Sequence, residues 1–337
     1  MINFMELLGQ FILFFAKVGT LVIGLLILFA GIAIISRKKK PKQGTLEIKK
    51  LNNRFQEVKE SLQAEVFTKE EIKTYQKEKK EKVKLAKKKT GEERPRLFVL
   101  NFQGDMRAKE AASLREEVTA LLTLIREKDE VFVHLESPGG IVPGYGLAAG
   151  QLKRLRDRKI PLIISIDKVA ASGGYMMACQ GSKILASPFA IVGSIGVLAQ
   201  IPNFNKVLKK NDIEFEQITG GEFKRTLTMF GENTDKARKK FQIEVDETHR
   251  LFKSFVKDAR PQLDLEKVAT GEHWYGTQAI DLNLIDEIIT SDDYLLSKYE
   301  THDIFELCYV KESKGLFQKL SANISSKIDD FFYGRVL

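Results

Sequence analysis

The sequence predicts an α/β domain with a parallel sheet, carried behind a membrane-crossing helix and a basic helical arm. Three observations point there. Residues 18–35, VGTLVIGLLILFAGIAII, are 18 consecutive uncharged positions, enough at about 1.5 Å per residue to cross a hydrocarbon core of about 30 Å. Residues 37–96 hold 21 basic against 10 acidic side chains, whereas residues 97–337 hold 32 against 34. After Pro95, apolar runs of strand length alternate with amphipathic stretches of helix length.

The preceding MINFMELLGQFILFFAK lengthens the apolar stretch, with Lys17 able to snorkel toward an interface. An anchor is favoured over a cleaved secretory signal, because no basic residue precedes Lys17 and the run is long for a signal. Gly31 and Ala33 keep the signal alternative open. Arg37, Lys38, Lys39, Lys40 and Lys42 follow the span at once, a bias that places the rest of the chain on the cytoplasmic side. The arm suits anionic lipid headgroups and accounts for the net charge of +9, so no nucleic-acid partner is expected. Within it Leu51, Phe55, Val58 and Leu62 recur at helical spacing, and residues 76–90 read as a solvated helix or linker. The organisation expected is an anchor over 1–36, the arm over 37–94, the folded domain over 95–310 and an amphipathic helical tail over 311–337. The tail reads as an oligomer contact.

In the folded domain RLFVLNF, 108–126, VFVHLE, 143–158 and IPLIISID read as β-α-β-α-β. Ligands gather at loops after the carboxyl ends of parallel strands, and two such loops are glycine-rich: Glu136-Ser137-Pro138-Gly139-Gly140 and Ala171-Ser172-Gly173-Gly174-Tyr175. A glycine pair after a strand is a tight turn or a site. Ser172, at a strand-to-helix turn, is a helix N-cap or a nucleophile whose neighbour Gly173 offers an N–H to developing negative charge. A serine nucleophile needs a base. His134 reads as a hydrogen-bonded strand histidine, His249 sits in a charged helical pattern, His273 stacks beside Trp274, and none of the four histidines stands out. A lysine with its amine desolvated can replace histidine, and Lys224, after the strand-like IEFEQIT and the pair Gly220-Gly221, is the candidate. Trp274 and Tyr275 read as packing a closing helix. Cys179 and Cys308 form no disulfide framework and read as buried small hydrophobes.

Five motifs in order, ESPGG at 136–140, ASGGYMMAC at 171–179, SPFAIVGSIGV at 187–197, GGEFKRT at 220–226 and GEHWYGTQAIDLNLIDEI at 271–288, resemble the Ser-Lys membrane peptidases of the signal peptide peptidase A type. The resemblance covers roughly residues 96–290. It implies the stacked β-β-α fold shared with the Clp protease proteolytic subunit and the crotonases. It implies Ser172 as nucleophile, Lys224 as general base, Ser194 as the hydroxyl that orients the lysine, and an oxyanion hole from Gly173 with Gly140 or Gly139. No cofactor or metal is implied. The partners implied are a lipid bilayer, peptide substrates such as signal-peptide remnants and other membrane-associated polypeptides, and further copies of the chain, with Lys224 acting in its own or a neighbouring subunit. The location implied is a bacterial inner membrane. Two positions depart from the family pattern: Glu136 replaces an asparagine, and Asn283 replaces a glycine while keeping access to the left-handed backbone region. A crotonase-like acyl-thioester enzyme and a catalytically silent membrane scaffold are the competing readings.

Overall fold

The computed structural model describes residues 4–36, 44–75, 77, 81 and 94–311. The basic cluster at 37–42, most of the 76–90 stretch and the tail from 312 onward lie outside the described residues. Helix α1, Phe4–Ser36, contains the whole predicted span in its 33 residues, with Lys17 in its interior. Its Gly9–Leu26 segment has a mean hydropathy of 1.9 and no buried residue.

The α/β class expected from the sequence holds. Strands β1 (Thr45–Lys50), β2 (Arg96–Gln103), β3 (Glu130–Glu136), β4 (Leu162–Ile166), β6 (Lys183–Ala186), β9 (Glu287–Ile288) and β10 (Asp303–Val310) form one sheet in the order β1-β10-β2-β3-β4-β6-β9. From β10 to β9 every neighbouring pair is parallel. A second sheet, β5 (Val169–Ala171), β7 (Ile191–Gly193) and β8 (His273–Tyr275), runs β5-β7-β8, parallel then antiparallel.

Strand residues alternate between two cores because successive side chains leave opposite faces. On one face Leu100, Phe102, Val131, Val133 and Leu135 pack with helices α3 (Ala111–Leu124) and α4 (Val142–Arg156) through Leu114, Val118, Tyr145 and Leu152. On the other, Leu97, Val99, Phe132, Ile163 and Leu185 pack with Leu51 and Tyr294. Burial of both faces makes these strands near-continuous apolar runs.

The arm expected to be helical begins with a strand. TLEIKK adds β1 beside β10, and helix α2 (Leu51–Val66) follows directly. Its N-terminal end is the packed part. Leu51 is buried, Phe55 meets Tyr299 edge-on at 5.6 Å, and Val58 and Leu62 are exposed. Asn52 fixes the turn by donating to the carbonyls of Tyr299 and His302 at 3.1 and 2.9 Å and accepting the N–H of Ile304 at 2.7 Å.

The run IPLIISIDKVA is two strands in different sheets. The chain leaves β4 at Asp167-Lys168 and enters β5, because both side chains are held there. His134 Nε2 lies 3.1 Å from Asp167, whose carboxylate also accepts the N–H and hydroxyl of Ser291. Lys168 pairs with Glu136 at 2.9 Å, which gives the carboxylate in place of the family asparagine a partner. IEFEQIT is no strand. It pairs with no strand among the described residues, and Ile213, Phe215 and Ile218 are exposed. Trp274 and Tyr275 lie on β8, paired with β7, and Tyr275 caps the short helix Gly276–Ala279 that follows. Cys179 is buried, which pushes its thiol up to about 12, but Cys308 is exposed on β10, contrary to the expectation of two buried cysteines.

The Asp167 cluster has a pH signature. Burial opposes ionisation of Asp167, yet the hydrogen bonds from His134 and Ser291 prevail and hold it at about 2, below its ordinary 3.8. The same bond raises His134 above its ordinary 6.5, against burial. The carboxylate therefore stabilises the fold above about pH 4 and loses its contribution, on the order of 2 kcal/mol, as pH falls toward 2. The imidazolium contributes below about pH 6.5, and its share is lost as pH rises through the raised value. Thermal melts of wild type and Asp167→Asn should differ most near pH 5.5, the difference closing as pH falls toward 2 and shrinking only by the imidazolium's share as pH rises above the raised His134 value, because the Ser291 bonds persist. A pH-independent difference would contradict this linkage.

Candidate active site

Two loops meet at the carboxyl ends of β3 and β5. The backbone of Ser137 joins them: its N–H donates to Val169 O at 2.8 Å, and its carbonyl accepts from Ala171 N at 3.0 Å. The residue after β5 is Ser172. It has φ 52° and ψ −117° and opens helix α5, Gly173–Ala178, whose residues are all buried. A positive φ on a residue with a β-carbon is costly and persists only where surrounding contacts impose it. Here the N–H of Ser172 donates to Gly193 O at 2.8 Å, and Ser172 O accepts from Met176 N at 2.9 Å. Ser172 thus occupies the N-cap position, but its side chain makes no capping bond.

Ser194 stands beside it by register. Ala171 opposes Gly193 across the β5–β7 pair, so Ser172 and Ser194 leave adjacent strand ends. Ser194 has φ 51°, its N–H donates to Glu272 O at 2.7 Å, and its hydroxyl faces Gly271 O at 3.4 Å. The GEHWYG motif therefore supports the Ser194 turn through β8. His249 supports the next residue, with Nε2 3.2 Å from Ile195 O.

Gly139, at φ +90°, crosses directly beneath this turn. A β-carbon there would lie 2.7 Å from Ala171 O, 2.8 Å from Ser172 Cβ and 2.9 Å from Gly173 N. The N–H of Gly139 is engaged by Ser137 Oγ at 3.1 Å. Among the described residues the N–H groups of Gly140 and Gly173 have no hydrogen-bond acceptor. The structure thus brings Ser172, Ser194, Gly139, Gly140 and Gly173 together. No hydrogen bond or ion pair among the described residues joins Lys224 to this group. That residue sits in an exposed turn with its N–H on Gly221 O at 3.2 Å, and among the described residues its ammonium meets no partner.

Two residues escaped the sequence reading. Ser137 looks like turn punctuation, and Tyr145 looks like one more apolar position on a core helix, yet both are fully buried with oxygens 2.6 Å apart. Their eight-residue separation spans a loop and the start of α4, so no periodicity signals the contact. Asn283 does adopt the left-handed conformation expected of it, at φ 59°.

Strand ends that present a strained serine beside unpaired backbone N–H groups are what a hydrolase of the acyl-transfer class requires. The chain belongs to peptidase family S49: the N-terminal model of that family matches residues 6–152 and the peptidase model residues 154–304. It is a peptidase. It is 45% identical over 325 residues to the "Probable protease SohB" of Haemophilus influenzae, covering 93% of this chain and 92% of that protein. A mutant of the 1510-N membrane-bound stomatin-specific protease in complex with a substrate peptide aligns with a TM-score of 0.42 at 13% identity, over 69% of this chain and 99% of that one. The ClpP protease catalytic domain from Plasmodium falciparum aligns with a TM-score of 0.35 at 13% identity, over 58% and 86%.

Proposed function

We propose that the chain is a membrane-anchored serine endopeptidase in which Ser172 is the nucleophile, Lys224 the general base and Ser194 the hydroxyl that orients it. One observation carries this reading. Ser172 holds a strained backbone conformation at a helix N-cap without using its hydroxyl as a cap, so the strain has no local structural return. The neutral amine of Lys224 takes the proton from Ser172 Oγ, the alkoxide adds to a peptide carbonyl, and the N–H groups of Gly140 and Gly173 receive the oxyanion. Such donors are worth about 3 kcal/mol each. The ammonium then protonates the leaving amine, and water repeats the addition on the acyl-enzyme.

Gly140 is the better donor of its pair because the Gly139 N–H is already engaged. A lysine works as a base only when desolvation depresses its pKa. The exposed Lys224 of one chain must therefore be covered, and Leu198, Ile213, Ile218 and Phe223, exposed on the same segment, offer apolar surface for a second copy. Helix α1 serves as the anchor, the domain faces the cytoplasm, and the substrates are peptides released into or near the bilayer, signal-peptide remnants among them.

A fluorophosphonate probe applied to the full-length protein in sealed inverted vesicles tests the assignment. Peptide mapping should find one adduct, on Ser172, and Lys224→Ala should slow labelling about a hundredfold or more. An unlabelled Ser172 would return the chain to the acyl-thioester or scaffold readings. Labelling undiminished in Lys224→Ala would remove the lysine from the mechanism.

A further inference from the structure

The atoms behind the Gly139-Gly140 turn form a directed chain. Asp105 O is a carbonyl and can only accept, so the hydroxyl of Tyr145, 2.9 Å away, spends its single proton there. The Tyr145 oxygen, 2.6 Å from Ser137 Oγ, must then accept the proton of Ser137. Ser137 Oγ is left as acceptor for the N–H of Gly139 at 3.1 Å. Each bond has one possible direction. Burial keeps the phenol protonated by raising its pKa, and Ser137 and Tyr145 are both shut off from solvent.

The far end of this chain is itself fixed. The Asp105 carboxylate accepts the N–H groups of Arg107 and Lys109 at 3.1 and 2.9 Å, which sets the loop carrying the Asp105 carbonyl. That loop also abuts Gly140, where a β-carbon would lie 2.2 Å from Met106 O. A β-carbon on Gly104 would lie 2.2 Å from Ser137 Oγ and 2.3 Å from the Tyr145 oxygen, so glycine is needed for the three groups to meet. The ring of Tyr145 reaches the other loop: a β-carbon on Gly173 would lie 2.3 Å from its Cγ. One side chain therefore touches the backbone of Gly173 and, through Ser137, holds the peptide next to Gly140.

We propose that Tyr145 and Ser137 are positioning residues that brace the two N–H donors against Ser172, so that the Tyr145 hydroxyl accelerates acylation without contributing to substrate binding. The inference rests on the assignment of Ser172 as nucleophile. By consuming the Gly139 N–H, the brace selects Gly140 as the donor; by pressing on Gly173, it sets the spacing to the second donor. Preorganised donors matter only where charge develops, so their misplacement slows the chemical step and spares ground-state affinity.

Steady-state cleavage of a fluorogenic peptide by the full-length protein in detergent is the test, with Tyr145→Phe, Ser137→Ala and Phe132→Leu. Phe132 is buried in the other core, on the opposite face of the sheet, stacked on Tyr294 at 5.4 Å. Tyr145→Phe should lower kcat about tenfold or more with KM within twofold, and Ser137→Ala should do the same. Phe132→Leu should lower Tm and leave kcat unchanged. A peptide aldehyde gives an independent readout: Ser172 Oγ bonds to the aldehyde carbon, the carbonyl π pair moves onto oxygen, and the serine proton passes through the base to that oxygen. Its Ki should rise in Tyr145→Phe by the same factor by which kcat falls. An unchanged kcat in either hydroxyl variant, a rise in KM instead, or a fall in kcat that tracks Tm across all three variants would overturn the brace. Ser172 labelling of the wild type, run in parallel, separates that outcome from a failure of the nucleophile assignment.

Discussion

Replacing Ser172 by alanine is expected to lower peptide cleavage by about 10⁴-fold or more while the protein remains folded. Removing a nucleophile that acts with its base as a unit eliminates most of the chemical acceleration, and the residue left behind retains only binding and donor effects. The fold should survive, because Ser172 Oγ makes no capping bond that alanine would forfeit. Glycine at this position separates strain from chemistry. At φ 52° and ψ −117° a β-carbon is unfavourable and glycine is not. Ser172→Gly should thus be as inactive as Ser172→Ala and more stable than it by roughly 1 kcal/mol in urea unfolding. Cleavage retained by either variant would remove Ser172 from the mechanism. Equal stability of the two would show that the surroundings, rather than the residue, carry the strain.

The second large effect is on stability. Arg260, at the end of helix α6 (Asp235–Ala259), is 4% exposed and grips Asp286 with two bonds of 2.8 Å while donating to Asn283 O at 2.9 Å. Asp286 also accepts the N–H of Ile184 on β6 at 2.7 Å, so one ion pair ties the long helix, the turn at Asn283 and the edge of the sheet. Asp286→Ala strands a buried guanidinium, a change that typically costs about 3–5 kcal/mol. Tm should fall on the order of 10 °C for a domain of this size. Glu232→Ala breaks the exposed Lys209–Glu232 pair at 3.0 Å and should cost under about 1 kcal/mol. Similar losses in the two variants would mean that Arg260 finds water or another acceptor when Asp286 is gone.

The parts of this molecule that could be read from its sequence are those in which one local signal suffices. The apolar run at 18–35 lies within α1, and the alternation from Arg96 to Asp167 maps onto β2, α3, β3, α4 and β4 within a few residues. Asn283 was legible because few residues other than glycine accept its backbone conformation. What was lost depends on partners distant in the chain. IPLIISIDKVA is apolar but for Ser165 until Asp167, and nothing local shows that His134 and Ser291 will pin that carboxylate and divide the run between two sheets. TLEIKK alternates too weakly to announce β1, whose pairing is supplied by β10, more than 250 residues later. IEFEQIT alternates well and still forms no strand, since alternation describes a suitable surface without supplying a neighbouring edge. The serine, the glycines and the lysine were named from residue types, spacings and a family resemblance. The hydroxyl chain behind them is a contact between a turn and a buried helical tyrosine, and it becomes visible only in three dimensions.

The place of β1 bears on how the enzyme can be handled without its apolar helix. A fragment started at residue 94, where the alternating pattern begins, would strip the first strand from β10 and bare a row of unpaired amides and carbonyls, a template for fibrous or amorphous association. It would also unroof the pocket that Leu51 fills and release the turn before β10 that Asn52 clips. Trimming to about residue 44 keeps that margin closed, and the folded domain therefore begins some fifty residues earlier than the alternating pattern suggests.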